Sequence, residues 1–301
     1  TYKDAFDMKL DLNCGTCMIN QALSSMETRD IDPQQQLKIL KSLVNDIAEH
    51  LDQPTPSHFH TILLHRFSEY MQIPDIFAED KKQQNEIASK LVPVAKNIID
   101  QSQNPLYTAA FLAVEGNSID QLFFSESDLK SKINDLLAHS FTIDHFQTFE
   151  AKLKKSHKII YLLDNAGEVF FDKLFIEIFQ DWRRKNGLPD AEVTCVVKGG
   201  PILNDATMED ALAANLDECA TVISSGTDHL GCALEKVDQT VRDAIASAQM
   251  IISKGQANFE TIEDDETLWG RAFFFLKAKC IHIAAFLNVP EGSSILYFPK
   301  K

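Results

Sequence analysis

The chain has 301 residues, of which 45% are hydrophobic and 24% charged, and its formal net charge is −15. That length suggests about two domains of ordinary globular composition. A polyanion of this size repels nucleic-acid backbones and anionic membrane surfaces, so neither is an expected partner, and a phosphorylated ligand needs a locally positive site.

Helical periodicity dominates from Asn20 to about Phe149. Leu37, Leu40, Leu43 and Val44 recur at three- and four-residue steps, as do Ile87, Leu91 and Val94. Asp32-Pro33 supplies an N-cap carboxylate and a proline for the first turn, and Asn104-Pro105 repeats the signal. Amphipathic helices are expected over Pro33 to His50 and Asp80 to Ile99, with little strand signal anywhere in this half. Pro54, Pro56 and Pro74 punctuate the segments between.

The texture changes at Lys158. Lys158 to Leu163 is a short β-rich apolar run, as expected of a strand buried on both faces. A helix is expected from Glu168 to Lys185, stopped by Asn186-Gly187. Further strands are expected at Glu192–Val197, Thr221–Ile223, Met250–Ile252, Ala272–Leu276 and Ser294–Phe298. Helices fall at Met208–Leu216, Lys236–Ser247 and Cys280–Leu287. Such alternation implies right-handed βαβ units. The fold class is therefore α/β: a Rossmann-like, mostly parallel sheet with helices on both faces, plus an all-helical N-terminal part. Residues 1–152 form the helical cap and 153–301 the domain that binds metal and phosphate.

No apolar run approaches the ~18 residues needed to cross a bilayer, and no basic-then-apolar leader opens the chain. Only Cys14 and Cys17 among six cysteines lie close together, which is no secreted disulfide framework, and cytoplasmic residence is expected.

Ligands of open α/β sheets sit beyond the carboxyl ends of the strands. Four successive strand ends here carry glycines, small residues, carboxylates and amides: Asp164–Glu168, Lys198–Thr207, Ser224–Asp228 and Ser253–Glu260. Oxygen donors from Asp164, Asn165 and Asp205 suit a hard divalent cation. Glycines admit an anion to the backbone, and Lys254 offers a phosphoryl group a cationic contact. Singly, each has a plainer reading: Asp-Asn as a turn and helix cap, Gly199-Gly200-Pro201 as a turn, Lys254 as a loop lysine. Their joint occurrence favours metal-assisted hydrolysis of a phosphate ester.

Leu163-Asp-Asn-Ala-Gly-Glu168, Lys198-Gly-Gly-Pro201 running to Asn204-Asp-Ala-Thr207, and Ser253-Lys-Gly-Gln-Ala-Asn-Phe-Glu260 resemble the signature segments of the damage-control metal-dependent phosphatase family. This group, once classed as a domain of unknown function, includes a protein formerly described as an acidic-residue methyltransferase. Cys14-Gly-Thr-Cys17 with Asn20–Leu23 resembles the subgroup that carries a CxxC pair, and Gly116–Asp120 resembles the family's Gly-Asn-x-Ile-Asp segment. The resemblance implies that Asp164, Asn165 and Asp205 bind the metal, with Asp164, Asp205 and Lys254 as catalytic residues. Lys254 would contact the phosphate, and Asn117, Asp120, Glu168, Gly255 and Asn258 would line the cleft. It implies hydrolysis of phosphate monoesters of small metabolites, such as sugar phosphates or phosphorylated cofactor precursors, with Mg²⁺, Mn²⁺, Co²⁺ or Ni²⁺ as cofactor. The sequence departs from many relatives at Ala257, where they have a second glycine.

The attacking group, a water or a carboxylate, is open, as are the substrate and the oligomeric state. A structural role for Cys14 and Cys17 ranks ahead of a metal site completed by His58 and His60 on a loop, and well ahead of redox catalysis. Three rivals remain. A methyltransferase would want a G-x-G turn where Asn165-Ala166-Gly167 stands. A haloacid-dehalogenase-type hydrolase would want an acid at Ala166. The third is a non-catalytic module that binds nucleotides or sugar phosphates.

Overall fold

The computed structural model describes residues 9–116 and 138–299. Among them, seven strands form one sheet: β1 (Ile143–Asp144), β2 (Lys158–Leu162), β3 (Glu192–Val197), β4 (Thr221–Ser224), β5 (Met250–Lys254), β6 (Ala272–Lys277) and β7 (Ser294–Tyr297). Their order is β1-β7-β6-β5-β2-β3-β4. Every pairing is parallel except that of β6 with β7.

The central strands are apolar without interruption because both faces are covered. On β2, Ile159 and Tyr161 join one core while Ile160 and Leu162 join the other, the two-residue alternation of a pleated strand. The first face is packed by α4 (Ala78–Gln101), α5 (Pro105–Glu115), α6 (Phe146–Leu153) and α7 (Glu168–Lys185), through residues such as Leu91, Phe111, Phe149 and Phe175. The second carries α9 (Gln239–Ser247), α10 (Gln256–Ile262) and α11 (Ile281–Leu287), through Val241, Phe259 and Ile283. Phe273 and Phe275 point to the first core and Phe274 to the second.

A third apolar cluster belongs to α1 (Asn13–Glu27), α2 (Pro33–Glu49) and α3 (Pro56–Met71), around Met18, Leu43, Phe59 and Phe67. Ile202 and Leu230, from the loops after β3 and β4, complete it, and Leu203 and Ala257 pack against it. The caps follow the sequence signals: Asp32 accepts from Gln34 and Gln35 ahead of Pro33, and Asn104 accepts from Tyr107 ahead of Pro105. No described helix is long and apolar enough to cross a membrane.

The structure departs from the sequence reading in four places. The first strand comes from Ile143–Asp144, two residues that are too short to show a period. The helix expected over Met208–Leu216 is the shorter α8 (Met208–Ala213), because Asn215 turns left-handed at φ +52° and a 3₁₀ turn follows. His58 and His60 lie on α3, started by the Thr55 cap and Pro56, and not on a loop. The last strand runs antiparallel to β6. Ser294 pairs with Lys277, so α11 stays at the carboxyl edge of the sheet and the chain re-enters at the end it left.

Candidate active site

The loops after β2 and β3 are zipped together. Ala206 N donates to Asp164 O at 2.7 Å and Ala166 N to Asn204 O at 2.9 Å, while Asn165 and Asp205 form an antiparallel bridge. This backbone ladder brings Asp164, Asn165 and Asp205 from two strand ends to one spot. Helix α4 holds the pair from outside: Gln84 accepts from Asn204, and Asn85 donates to Asp210, the capping-box residue of α8.

Gly255 closes the third side. Its N–H donates to Phe275 O at 2.9 Å, and its φ of +78° with ψ 170° lies where essentially only glycine goes. A Cβ there would fall 2.1 Å from the Asp164 carboxyl carbon. The backbone after β5 therefore touches the carboxylate directly.

The electrostatics are those of crowded carboxylates. Burial, together with Glu168 and Asp205, holds the Asp164 carboxyl well above the usual carboxylate range, against the pull of Lys279 and Lys254. Burial also raises Asp205, with Glu168 adding to it, although Lys198 counters from 3.5 Å. Asn165 Nδ2 donates to Asp164 Oδ2 at 3.0 Å and to Glu168 Oε1 at 2.8 Å. Among the described residues its Oδ1 accepts no hydrogen bond, so the amide presents an oxygen as its remaining polar atom.

Below this layer lies a buried charged network. Lys254 is 0% exposed and donates to Glu168 Oε2 at 3.0 Å and Asp172 Oδ1 at 2.8 Å. Burial opposes its charge, but Asp172 and Glu168 more than offset that and raise its pKa above the ordinary lysine value. Tyr161 donates to the same Asp172 oxygen at 2.5 Å, and burial pushes Asp172 up to about 6 in spite of Lys254. Asn258 Nδ2 donates to Leu163 O and Lys254 O, which ties the end of β2 to the end of β5.

The site opens on a cleft of about 1130 Å³. Asp164, Asn165, Asp205, Glu168 and Gly255 line it; Lys254 and Asn258 do not, lying beneath its floor. Asn117 and Asp120 lie outside the described residues. Cys14, Cys17, His60, Glu260, Lys279 and His282 line it as well. Cys14 and Cys17 sit in the first turns of α1; burial raises both thiols, Cys14 to about 11, and all six cysteines are free.

Sequence reasoning missed Asp172, Tyr161 and Lys198. Asp172 stands four residues after Glu168 on one helix, a spacing that puts both on the face turned to the strand ends. Lys198 opens the loop already singled out, and donates to the carbonyls of His229 at 2.8 Å and Gly231 at 2.5 Å.

The described residues contain no group of three or more His, Cys, Asp or Glu arranged to hold an ion. The set here is smaller, two carboxylates and an amide, and it fits a hard cation on chemical grounds. Two buried carboxyls that resist ionising beside each other are what a divalent charge relieves.

A model of the damage-control phosphatase ARMT1-like domain matches residues 11–295. The chain belongs to the damage-control phosphatase ARMT1-like family. Its similarity extends to damage-control phosphatase PH1575 of Pyrococcus horikoshii, 33% identical over 96% of this chain and 97% of that protein. A damage-control phosphatase of Archaeoglobus fulgidus is 30% identical over 96% of this chain and 98% of its own length. The crystal structure of the P. horikoshii protein, described as a DUF89 family protein, superposes with a TM-score of 0.88 over 98% of this chain and 100% of its own. The family's name states a phosphatase role in metabolite damage control, and the mostly parallel sheet with its helical N-terminal region is the fold shared with that structure.

Proposed function

We propose that the chain is a metal-dependent phosphomonoester hydrolase acting on small phosphorylated metabolites, with Asp164, Asn165 and Asp205 holding the divalent cation. The observation that carries this is the crowding of Asp164 and Asp205, brought together by the ladder of the two loops and each made reluctant to ionise. When bound, the cation supplies a positive charge that polarises a phosphoryl oxygen.

The chain's own residues supply the rest. Asn165 orients Asp164 and Glu168 through one amide nitrogen, which fixes the direction of the amide oxygen. Gly255 lets the backbone lie against the site without a side chain in the way. Lys254 balances Glu168 and Asp172 beneath the floor. The phosphate contact that the resemblance implies for it requires Glu168 to give up its hydrogen bond. Lys279, exposed on the cleft wall, has a charge that already reaches Asp164, and it meets the incoming phosphate at the rim. Preorganised donors and charges of this kind stabilise the transition state without reorganising.

The test is phosphate release from p-nitrophenyl phosphate and a panel of sugar phosphates, by chelator-stripped protein given Mg²⁺, Mn²⁺, Co²⁺ or Ni²⁺ in turn. Metal-dependent turnover in the parent, lost in folded Asp164→Ala and Asp205→Ala, is expected. Absence of release with every metal, from folded protein, would overturn the proposal.

A further inference from the structure

Helix α2 is apolar on two faces. Ile39 and Leu43 are buried against α1 and α3, whereas Leu37, Val44 and, just past the helix end, Leu51 stand on the outer side at 54%, 45% and 41% exposure. A surface helix ordinarily turns a polar face outward. Six large apolar side chains are exposed among the described residues, and a fourth of them, Leu12, belongs to the same α1–α2 hairpin. Gly15 of α1 lies against Ile47 of α2, so Leu12, just before the one, and Leu51, just after the other, share one end of that hairpin. Single exposed leucines need no explanation, but four of six on one hairpin do.

The pattern on this face is symmetric in size and antisymmetric in charge. Leu37 and Leu51 lie equally far before and after Val44. Lys38 and Lys41 precede Val44, Glu49 and Asp52 follow it, and all four are exposed. Among the described residues none of these four is ion-paired within the chain. Turned end for end about Val44, the helix sets leucine on leucine and lysine beside acid.

These charges suit a partner better than they suit α2 itself. The macrodipole favours acids in a helix's first turn and bases in its last. α2 has no acid in its first turn and no base in its last, where Glu49 stands instead. An antiparallel neighbour reverses that balance. Its positive N-terminal end, with Lys38 and Lys41, comes beside Glu49 and Asp52. The other acids are already engaged: Asp32 caps the helix's own start, and Asp46 accepts from the Tyr70 hydroxyl at 2.6 Å.

We propose that the outer face of α2 is a two-fold interface on which a second copy of this chain docks, its α2 antiparallel and Val44 against Val44. Lys38 and Lys41 of each copy pair with Asp52 and Glu49 of the other, and Leu12 widens the contact at each end. A closed two-fold contact demands a self-complementary patch of this kind. The helix has 17 residues, a length of about 25 Å. The contact therefore falls at the low end of specific interfaces, below about 1,200 Å² in total. The dimer is weak, and it stands or falls independently of the chemistry in the cleft.

Sedimentation velocity from about 1 μM to about 1 mM protein tests it, with the fold of each variant checked by circular dichroism. Parent protein is expected to pass from monomer to dimer over that range. Val44→Glu sets two carboxylates on the axis and is expected to weaken the dimer by about tenfold or more. Lys38→Glu/Lys41→Glu and Glu49→Lys/Asp52→Lys should each be monomeric alone, because like charges then face each other across the axis. Mixed in equal amounts they should form a heterodimer, since every pair between the copies is again opposite in sign. Parent protein that stays monomeric throughout overturns the proposal. So does a dimer that Val44→Glu leaves intact, or a mixture of the two reversed variants that stays monomeric, since the copies then meet elsewhere or in another direction. Growth past the dimer with concentration also overturns it, because a two-fold contact closes.

Discussion

Gly255 and Asp164 are packed so closely that the backbone of one occupies the space a side chain would need beside the carboxylate of the other, at 2.1 Å for an ideal Cβ. The strand end after β5 is thereby part of the wall that sets where the carboxylate points.

Gly255→Ala is therefore expected to damage the site and the fold together. The backbone conformation alone costs about 1–3 kcal/mol for a residue with a Cβ, and the carboxylate must also move. Urea denaturation should report the loss of stability, and calorimetry a loss of divalent-metal affinity.

Asp164→Asn should divide stability from function. It removes one member of a crowded carboxylate set, so the metal-free variant is expected to melt at or above the parent's temperature. Saturating metal stabilises a binder by about 2.7 kcal/mol at a hundred times its Kd. The parent should show such a shift in thermal midpoint and the variant none, with phosphate release at background.

The raised pKa values of Asp164 and Asp205 fix the sign of the pH dependence. Their folded values lie above the unfolded ones, so in metal-free protein their contribution is present below the unfolded value and is lost as pH rises through the folded one. A cation has to displace protons held this tightly. Apparent metal affinity should fall as pH falls, with protons released on binding, as calorimetry in buffers of different ionisation enthalpy would reveal. Affinity that does not fall as pH is lowered would contradict the raised values.

Lys254→Met leaves Glu168 and Asp172 without their cation. Removing one partner of a buried ion pair costs about 3–5 kcal/mol. Denaturant titration should show that loss, and the double variant Lys254→Met/Asp172→Asn should regain part of it. If the single variant is as stable as the parent, the network is not the electrostatic keystone described.

Lys279→Ala is expected to raise KM several-fold while kcat changes less, and to weaken the salt dependence of kcat/KM, as for a rim charge that attracts an anion. Steady-state kinetics at low and high ionic strength would separate these effects.

Much of the fold was legible because its elements carry strong local signals. The helix Glu168–Lys185 and the strand Glu192–Val197 have the bounds read from the sequence: an amphipathic run stopped at Asn186-Gly187, then an alternating β-branched stretch. The short strand Ile143–Asp144 was invisible, since two residues have no period. The direction of β7 was hidden because it depends on where α11 lies. For the site, the sequence located the strand ends, and the loops after β2, β3 and β5 do converge. It could not tell an outward side chain from an inward one. The sequence ended its strand at Ile252 and so put Lys254 after a strand, as it put Asp164, yet Lys254 is the last residue of β5 and its ammonium turns below the floor onto Asp172. Thr55-Pro56 was a helix start as clear as Asp32-Pro33, and reading it would have placed His60 on α3.

The apolar cluster of α1, α2 and α3 takes Ile202 and Leu230 from the very loops that follow β3 and β4. The helices on one side of the cleft and the strand ends on the other therefore share one set of packed side chains. Grafting α1–α3 from a relative to acquire its specificity would leave Ile202 and Leu230 against a foreign surface and slacken the Asp205 loop. Exchange of specificity in this architecture has to proceed residue by residue along the cleft, because the cap is not a detachable module.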